Sequence, residues 1–133
     1  MKCRCSTSAV AVDLTAHRAY VANAYSNSIS VLDTNHNVVV ATVPVGAMPV
    51  AVAVDPVTKR AYVTNYNANT VSVISTRSNV VVATIRAGSI PVAVAIDPAI
   101  HRAYVANYDS NTISALDVSN TAVGPTTSGQ ATR

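Results

Sequence analysis

Residues 51–88 read AVAVDPVTKRAYVTNYNANTVSVISTRSNVVVATIRAG, and the same recipe stands on either side of them. Upstream, residues 9–46 read AVAVDLTAHRAYVANAYSNSISVLDTNHNVVVATVPVG; downstream, residues 93–123 read AVAIDPAIHRAYVANYDSNTISALDVSNTAV. Tyr20, Tyr62 and Tyr104 mark a constant step of 42, and units 7–48 and 49–90 share 21 of 42 positions. A fixed period of this length means one supersecondary unit written several times.

Each unit parses into four short strands. They are Val10–Asp13, Arg18–Asn23, Ile29–Asp33 and Val38–Val43 in the first copy, each recurring one period later. The connections fall where turn chemistry predicts them. Asp55-Pro56 and Asp97-Pro98 suit the opening of a type I turn, because proline presets φ and aspartate caps the turn. Asn-rich loops run from Asn23 to Asn27, Asn65 to Asn69 and Asn107 to Asn111. Gly46 and Gly88 close the fourth strand, and Pro49 and Pro91 open the next unit.

Composition agrees with strands and excludes helical folds. The chain holds 24 Val and 22 Ala against 3 Leu, no Phe, no Trp and no Glu, and Lys occurs only at positions 2 and 59. Val, Thr, Ile and Tyr together supply 51 of the 133 residues, the β-branched and aromatic side chains that fit a pleated surface. Nine Lys/Arg against six Asp leave a net charge of +3 spread along the chain, so no basic stripe marks a nucleic-acid site. No apolar run has the length of a membrane span, and the opening Met1–Ser6 has no apolar stretch that would make it a secretory signal. Cys3-x-Cys5 could be half of a metal site, but no second pair completes it.

Four strands in about 42 residues is the period of a β-propeller blade. The first strand of each unit alternates Val and Ala, apolar on both faces, and such a strand needs cover on both faces. Blades stacked face to face provide it. The fold class is therefore all-β: three four-stranded antiparallel blades of about 42 residues each. The organisation is an N-terminal extension over 1–6, blade 1 over 7–48, blade 2 over 49–90, an incomplete blade 3 over 91–120 and a disordered polar tail over 121–133. In this parsing the third unit lacks its fourth strand, since TAVGP stands where VVVATIRAG should recur.

The stretches RAYVAN (18–23 and 102–107) and RAYVTN (60–65), followed by SNSISVLDT or ANTVSVIST and by VVATVPVG or VVATIRAG, resemble the YVTN-family β-propeller repeat. Tyr62-Val63-Thr64-Asn65 is the signature itself, and the resemblance covers about residues 7–118. It implies a prokaryotic protein, of a family often secreted, periplasmic or at the cell surface, commonly seven-bladed, and including surface-layer proteins. Three blades are fewer than the four to eight of a closed ring. The chain is thus expected to be an incomplete propeller, the remainder belonging to a longer one, or half of a homodimer closing a six-bladed ring.

Positions identical in all three units build the blade, so Asp13 and Arg18 read as a turn cap and a hairpin-end pairing, and the motif tyrosines as part of the blade. His17, Lys59 and His101 share one turn slot, and His36 lies in another turn. No nucleophile–base pair and no metal-ligand cluster stands out, which predicts no catalytic residues, no metal and no cofactor. Loop placement predicts a binding face instead. The second-to-third-strand loops and the blade-to-blade loops emerge at one end, carrying Tyr25, Asn65, Tyr66, Asn67, Asn107, Tyr108 and Asp109. Tyrosine and asparagine on loops combine rigid aromatic surface with adaptable hydrogen bonding. The leading expectation is a non-catalytic binding or scaffold module for a protein, glycan or small ligand. One alternative is single-stranded nucleic acid stacked on Tyr66 and Tyr108 beside Arg86, since a periplasmic propeller with this repeat is linked to single-stranded DNA. The other is a lactonase-like hydrolase, because sugar-lactone hydrolases share related propeller folds.

Overall fold

A computed structural model of the chain describes residues 7–117 and 124–130. These residues form twelve strands: β1 (Thr7–Asp13), β2 (Arg18–Asn23), β3 (Ser28–Asp33), β4 (Val38–Pro44), β5 (Pro49–Asp55), β6 (Arg60–Asn65), β7 (Thr70–Ser75), β8 (Val80–Arg86), β9 (Pro91–Asp97), β10 (Arg102–Asn107), β11 (Thr112–Asp117) and β12 (Gly124–Gln130). They pair in chain order into three four-stranded antiparallel sheets, β1–β4, β5–β8 and β9–β12. Each sheet is a blade. Neighbouring blades touch most closely along β1, β5 and β9, and the contact thins towards β4 and β8, as it does when blades fan out from an axis.

The period of two along each strand sorts side chains onto two faces. One face of blade 1 carries Tyr20, Ala22, Ile29, Val31 and Val43, and it packs against Val52, Ala61, Val63 and Ile74 of blade 2. The next joint repeats the arrangement. Tyr62, Val71, Val73 and Ile85 of blade 2 meet Ala103, Val105 and Leu116 of blade 3. The alanines of the first strands have a definite task here. Ala11, Ala53 and Ala95 pair across the ladder with Tyr20, Tyr62 and Tyr104, and a small neighbour leaves room for each ring. Tyr20 and Tyr62 are fully buried, and burial raises both phenols above their ordinary value.

Bulges recur at fixed places. On β4 the register shifts so that Val31 opposes Ala41 and Leu32 opposes Val39, leaving Val40 as the extra residue. Val82 plays the same part on β8. An inserted residue bends and twists a strand, which explains the runs of three valines: they sit on outer edge strands and remain solvent-exposed at Val38–Val40 and Val80–Val82.

The expectation that blade 3 lacks its fourth strand is corrected, and of the disordered tail expected over 121–133, residues 124–130 form a strand while 121–123 and 131–133 lie outside the described residues. β12 pairs with β11 from Thr112↔Gln130 to Asp117↔Gly124, with a register shift at Ala115/Leu116 matching those of blades 1 and 2. The connection from β11 is six residues long, 118–123, where blades 1 and 2 use four, 34–37 and 76–79. An outer strand is held chiefly by backbone pairing, and proline is tolerated at an edge or bulge; Pro125 lies beside the extra residue, Thr126. The N-terminal extension, with Cys3 and Cys5, lies outside the described residues.

The turns behave as their chemistry predicts. Asp13 Oδ1 accepts the Thr15 and Ala16 amides at 3.0 and 3.1 Å and the Thr15 hydroxyl at 2.7 Å. Asp55 accepts the Val57 amide at 3.0 Å, and Asp97 the Ala99 amide at 3.0 Å. Burial works to raise the Asp13 carboxyl, but the Thr15 hydroxyl and the two amides outweigh it and leave the group below its ordinary value. His17, Lys59 and His101 all adopt positive φ, between 55° and 59°, so their shared slot is a left-handed turn position.

Candidate binding face

The second-to-third-strand loops and the blade-to-blade segments lie together at one end of the blades, tied by a repeated set of hydrogen bonds. The Val45 amide donates to Asn27 O at 2.9 Å, and the Ala87 amide to Asn69 O at 2.9 Å. The side chains of the same asparagines reach further, with Asn27 Oδ1 accepting the Met48 amide and Asn69 Oδ1 the Ile90 amide, both at 2.9 Å. The following loop is then fastened in turn: the Tyr66 amide donates to Met48 O and the Tyr108 amide to Ile90 O, each at 2.8 Å. Asn27, Asn69 and Asn111 take left-handed backbone, with φ of 54–56°, a conformation asparagine tolerates better than most residues. Sequence reading placed these loops but missed Asn27 and Asn69 as latches. The signal was present in their constant position, one residue before each third strand.

On this braced frame Tyr25 and Tyr108 stand out into solvent, 69% and 70% exposed, while Tyr66 is half-buried. Asn67 and Asp109 are exposed. The Ser89 hydroxyl donates to Asp109 Oδ2 at 3.4 Å, and the Asn67 amide group donates to Met48 Sδ at 3.5 Å. Beside the Tyr66 loop, a recess of about 360 Å³ is lined by Asn69, Thr70, Arg86 and Ser89 among others. Arg86, at the end of β8, is therefore on the same end as the tyrosines.

Asn65 and Asn107 do not belong to this surface, and their assignment to a binding face is corrected. Both are buried. Asn65 Nδ2 donates to Thr70 Oγ1 at 3.1 Å and Ser72 Oγ at 2.9 Å; Asn107 Nδ2 donates to Thr112 Oγ1 at 3.1 Å and Ser114 Oγ at 2.9 Å. Asn23 makes the same pair with Ser28 and Ser30. On its other side Asn107 Oδ1 accepts the Gly88 amide at 3.1 Å. A Cβ at Gly88 would fall 2.7 Å from Asn107 Cγ, and one at Gly46 would fall 2.8 Å from Asn65 Cγ. Each motif asparagine thus clamps its own hairpin, Asn107 also holds the incoming linker, and the side chains of Asn65 and Asn107 leave no room for a Cβ at Gly46 and Gly88.

The remaining titratable groups are dispersed. Arg18 approaches Asp33 at 3.9 Å, and His36 Nδ1 lies 3.0 Å from Asp33 Oδ2 on the opposite end. The His36 contact, then the Asn35 amide, holds the Asp33 carboxyl below its ordinary value. Among the described residues no three His, Cys, Asp or Glu side chains gather as a metal site, and no helix is long and apolar enough to cross a membrane.

The fold and its blade packing are those of the β-propeller class. The chain superimposes on hydrazine synthase from Kuenenia stuttgartiensis with a TM-score of 0.87 and 24% identity, over 96% of this chain and 37% of that one. It is similar to a functionally unknown protein from Desulfotomaculum acetoxidans DSM 771, with a TM-score of 0.84 and 17% identity over 100% and 45%. A third likeness is to U3-55K, with a TM-score of 0.85 and 11% identity over 100% and 42%. This chain spans less than half the length of each. No family model matches it, and no curated protein matches it in sequence.

Proposed function

We propose that the protein is a non-catalytic binding or scaffold module of the YVTN-repeat kind, which presents its loop end to a protein, glycan or small ligand. The observation that carries this reading is the exposure of Tyr25 and Tyr108 on loops whose backbones are latched to the neighbouring linker. Rigid aromatic surface loses little conformational entropy on binding. The contact surface comprises Tyr25, Tyr66, Asn67, Tyr108 and Asp109.

The test is an NMR titration with a panel of neutral oligosaccharides and tyrosine- and arginine-containing peptides, and with oligothymidylate as a separate arm. Shifts concentrated in residues 24–27, 66–69 and 108–111, and lost in Tyr25→Ala/Tyr108→Ala, are expected for a sugar or peptide. Binding that survives the double variant overturns the loop-face assignment. A response to oligothymidylate alone, weakening steeply with salt, replaces the reading with a nucleic-acid module that uses Arg86.

A further inference from the structure

Two faces of the arc have no blade against them within the described residues, and they are of the two kinds that meet at each joint inside the chain. Blade 3 ends on the face that carries Tyr104 and Ile113, 38% and 40% exposed, whereas their counterparts Tyr20, Tyr62, Ile29 and Val71 are fully buried. Blade 1 ends on the opposite face type, with Val10 63% exposed where Val52 retains only 8%. Val12 is also exposed on that face. Twice within the chain a tyrosine face closes on a valine face, in blade 1 against blade 2 and in blade 2 against blade 3.

The shapes of the open faces follow the same rule. On blade 3, Ala93, Ala95 and Ala106 sit around Tyr104 and Ile113 and form a shallow apolar recess. The corresponding alanines of blade 1, Ala9 and Ala11, lie in the packed cluster that takes Val52 and Val54. Val10 and Val12 are the residues one repeat before Val52 and Val54. The recess is therefore open to a pair of side chains that this chain displays at its other end.

We propose that the Tyr104/Ile113 face of blade 3 docks onto the Val10/Val12 face of blade 1 in a second copy of this chain, and that two such joints close a six-bladed ring. Four strands at about 4.8 Å spacing and six residues at about 3.3 Å give a face of roughly 400 Å². Two joints cover four such faces, about 1,600 Å², the size of a standard specific interface. A head-to-tail contact that failed to close would instead grow into filaments; six blades lie within the range at which propellers close. The proposal is independent of the loop face, since neither open face includes Tyr25 or Tyr108.

Light scattering on the gel-filtered 133-residue chain tests it. The expected mass is twice the 13.7 kDa of one copy. Ile113→Asp and Val10→Asp each place a charge in both joints and are expected to give monomers. Their far-UV circular dichroism should be unchanged, because both side chains are exposed in the single chain. An equimolar mixture of the two variants is expected to regain the dimer more weakly than wild type, since one of its joints then carries two native faces. A wild-type monomer at every accessible concentration overturns the proposal, as does a ladder of heavier species. A dimer broken by only one variant, or by neither, overturns it too, because that pattern belongs to like faces pairing or to another surface.

Discussion

Asp13 shows how a single side chain holds a turn and what that implies for acid stability. Its carboxylate accepts three hydrogen bonds from Thr15 and Ala16, and its folded-state value lies below the ordinary 3.8. A carboxyl lowered by folding stabilises the native state above its unfolded value, and that contribution is lost as pH falls through the folded one. Asp13→Asn is expected to cost about 1 kcal/mol at neutral pH. The gap from wild type should narrow once the pH drops below 3.8, as followed by urea denaturation across the acid range. Asp13 was legible as a turn cap because aspartate at the start of a tight turn has one common use. Asn65 was not, because an asparagine ending a strand reads equally as loop surface or as clamp. What separates the two is the Ser/Thr pair five and seven residues on, Thr70 and Ser72, repeated at Ser28 and Ser30 and at Thr112 and Ser114.

Among the elements, β12 departs furthest from the repeat in sequence while keeping its place in the sheet. β1 to β11 announce themselves through Val and Ala alternation and through turn residues, so their order and pairing were readable. β12 carries no valine, and a search for the recurring pattern passes over it. Its register depends on backbone groups, which every residue type but proline supplies in full, and its one proline, Pro125, sits beside the register shift. Removal of residues 118–133 should therefore leave β11 as an unpaired edge. Hydrogen exchange is expected to show the outward-facing amides of Thr112–Asp117 losing most of their protection while β6 and β7 keep theirs. Unchanged exchange in β11 would mean that β12 contributes little to the blade.

At the scale of the molecule, the same tyrosine has a different value in each blade. Tyr62 is enclosed between blades 2 and 3, and Tyr62→Ala should cost about 3–5 kcal/mol, as other large aromatic truncations do. Tyr104, on the free face, should cost less than about 1 kcal/mol when replaced by alanine in a monomeric Ile113→Asp background. Thermal or chemical denaturation of the two pairs measures the difference, and equal costs would mean that the face of blade 3 is not free. The three-blade architecture was legible because a constant period repeats its own packing instructions. The contrast between covered and open copies was expected from the blade count, but which residues remain wet depends on the direction in which the blades face, and only the structure supplies that.

The latch between loop and linker also bears on how such a chain can change over generations. Asn27 holds the Met48 amide and Asn69 the Ile90 amide, in each case across 21 residues. Half a period separates donor from acceptor, so a gene that gained or lost one whole repeat unit would leave every surviving asparagine with an amide at the right distance downstream. Copy number can then drift by misaligned recombination without breaking a single latch, and the number of blades becomes a heritable variable separate from the quality of each blade.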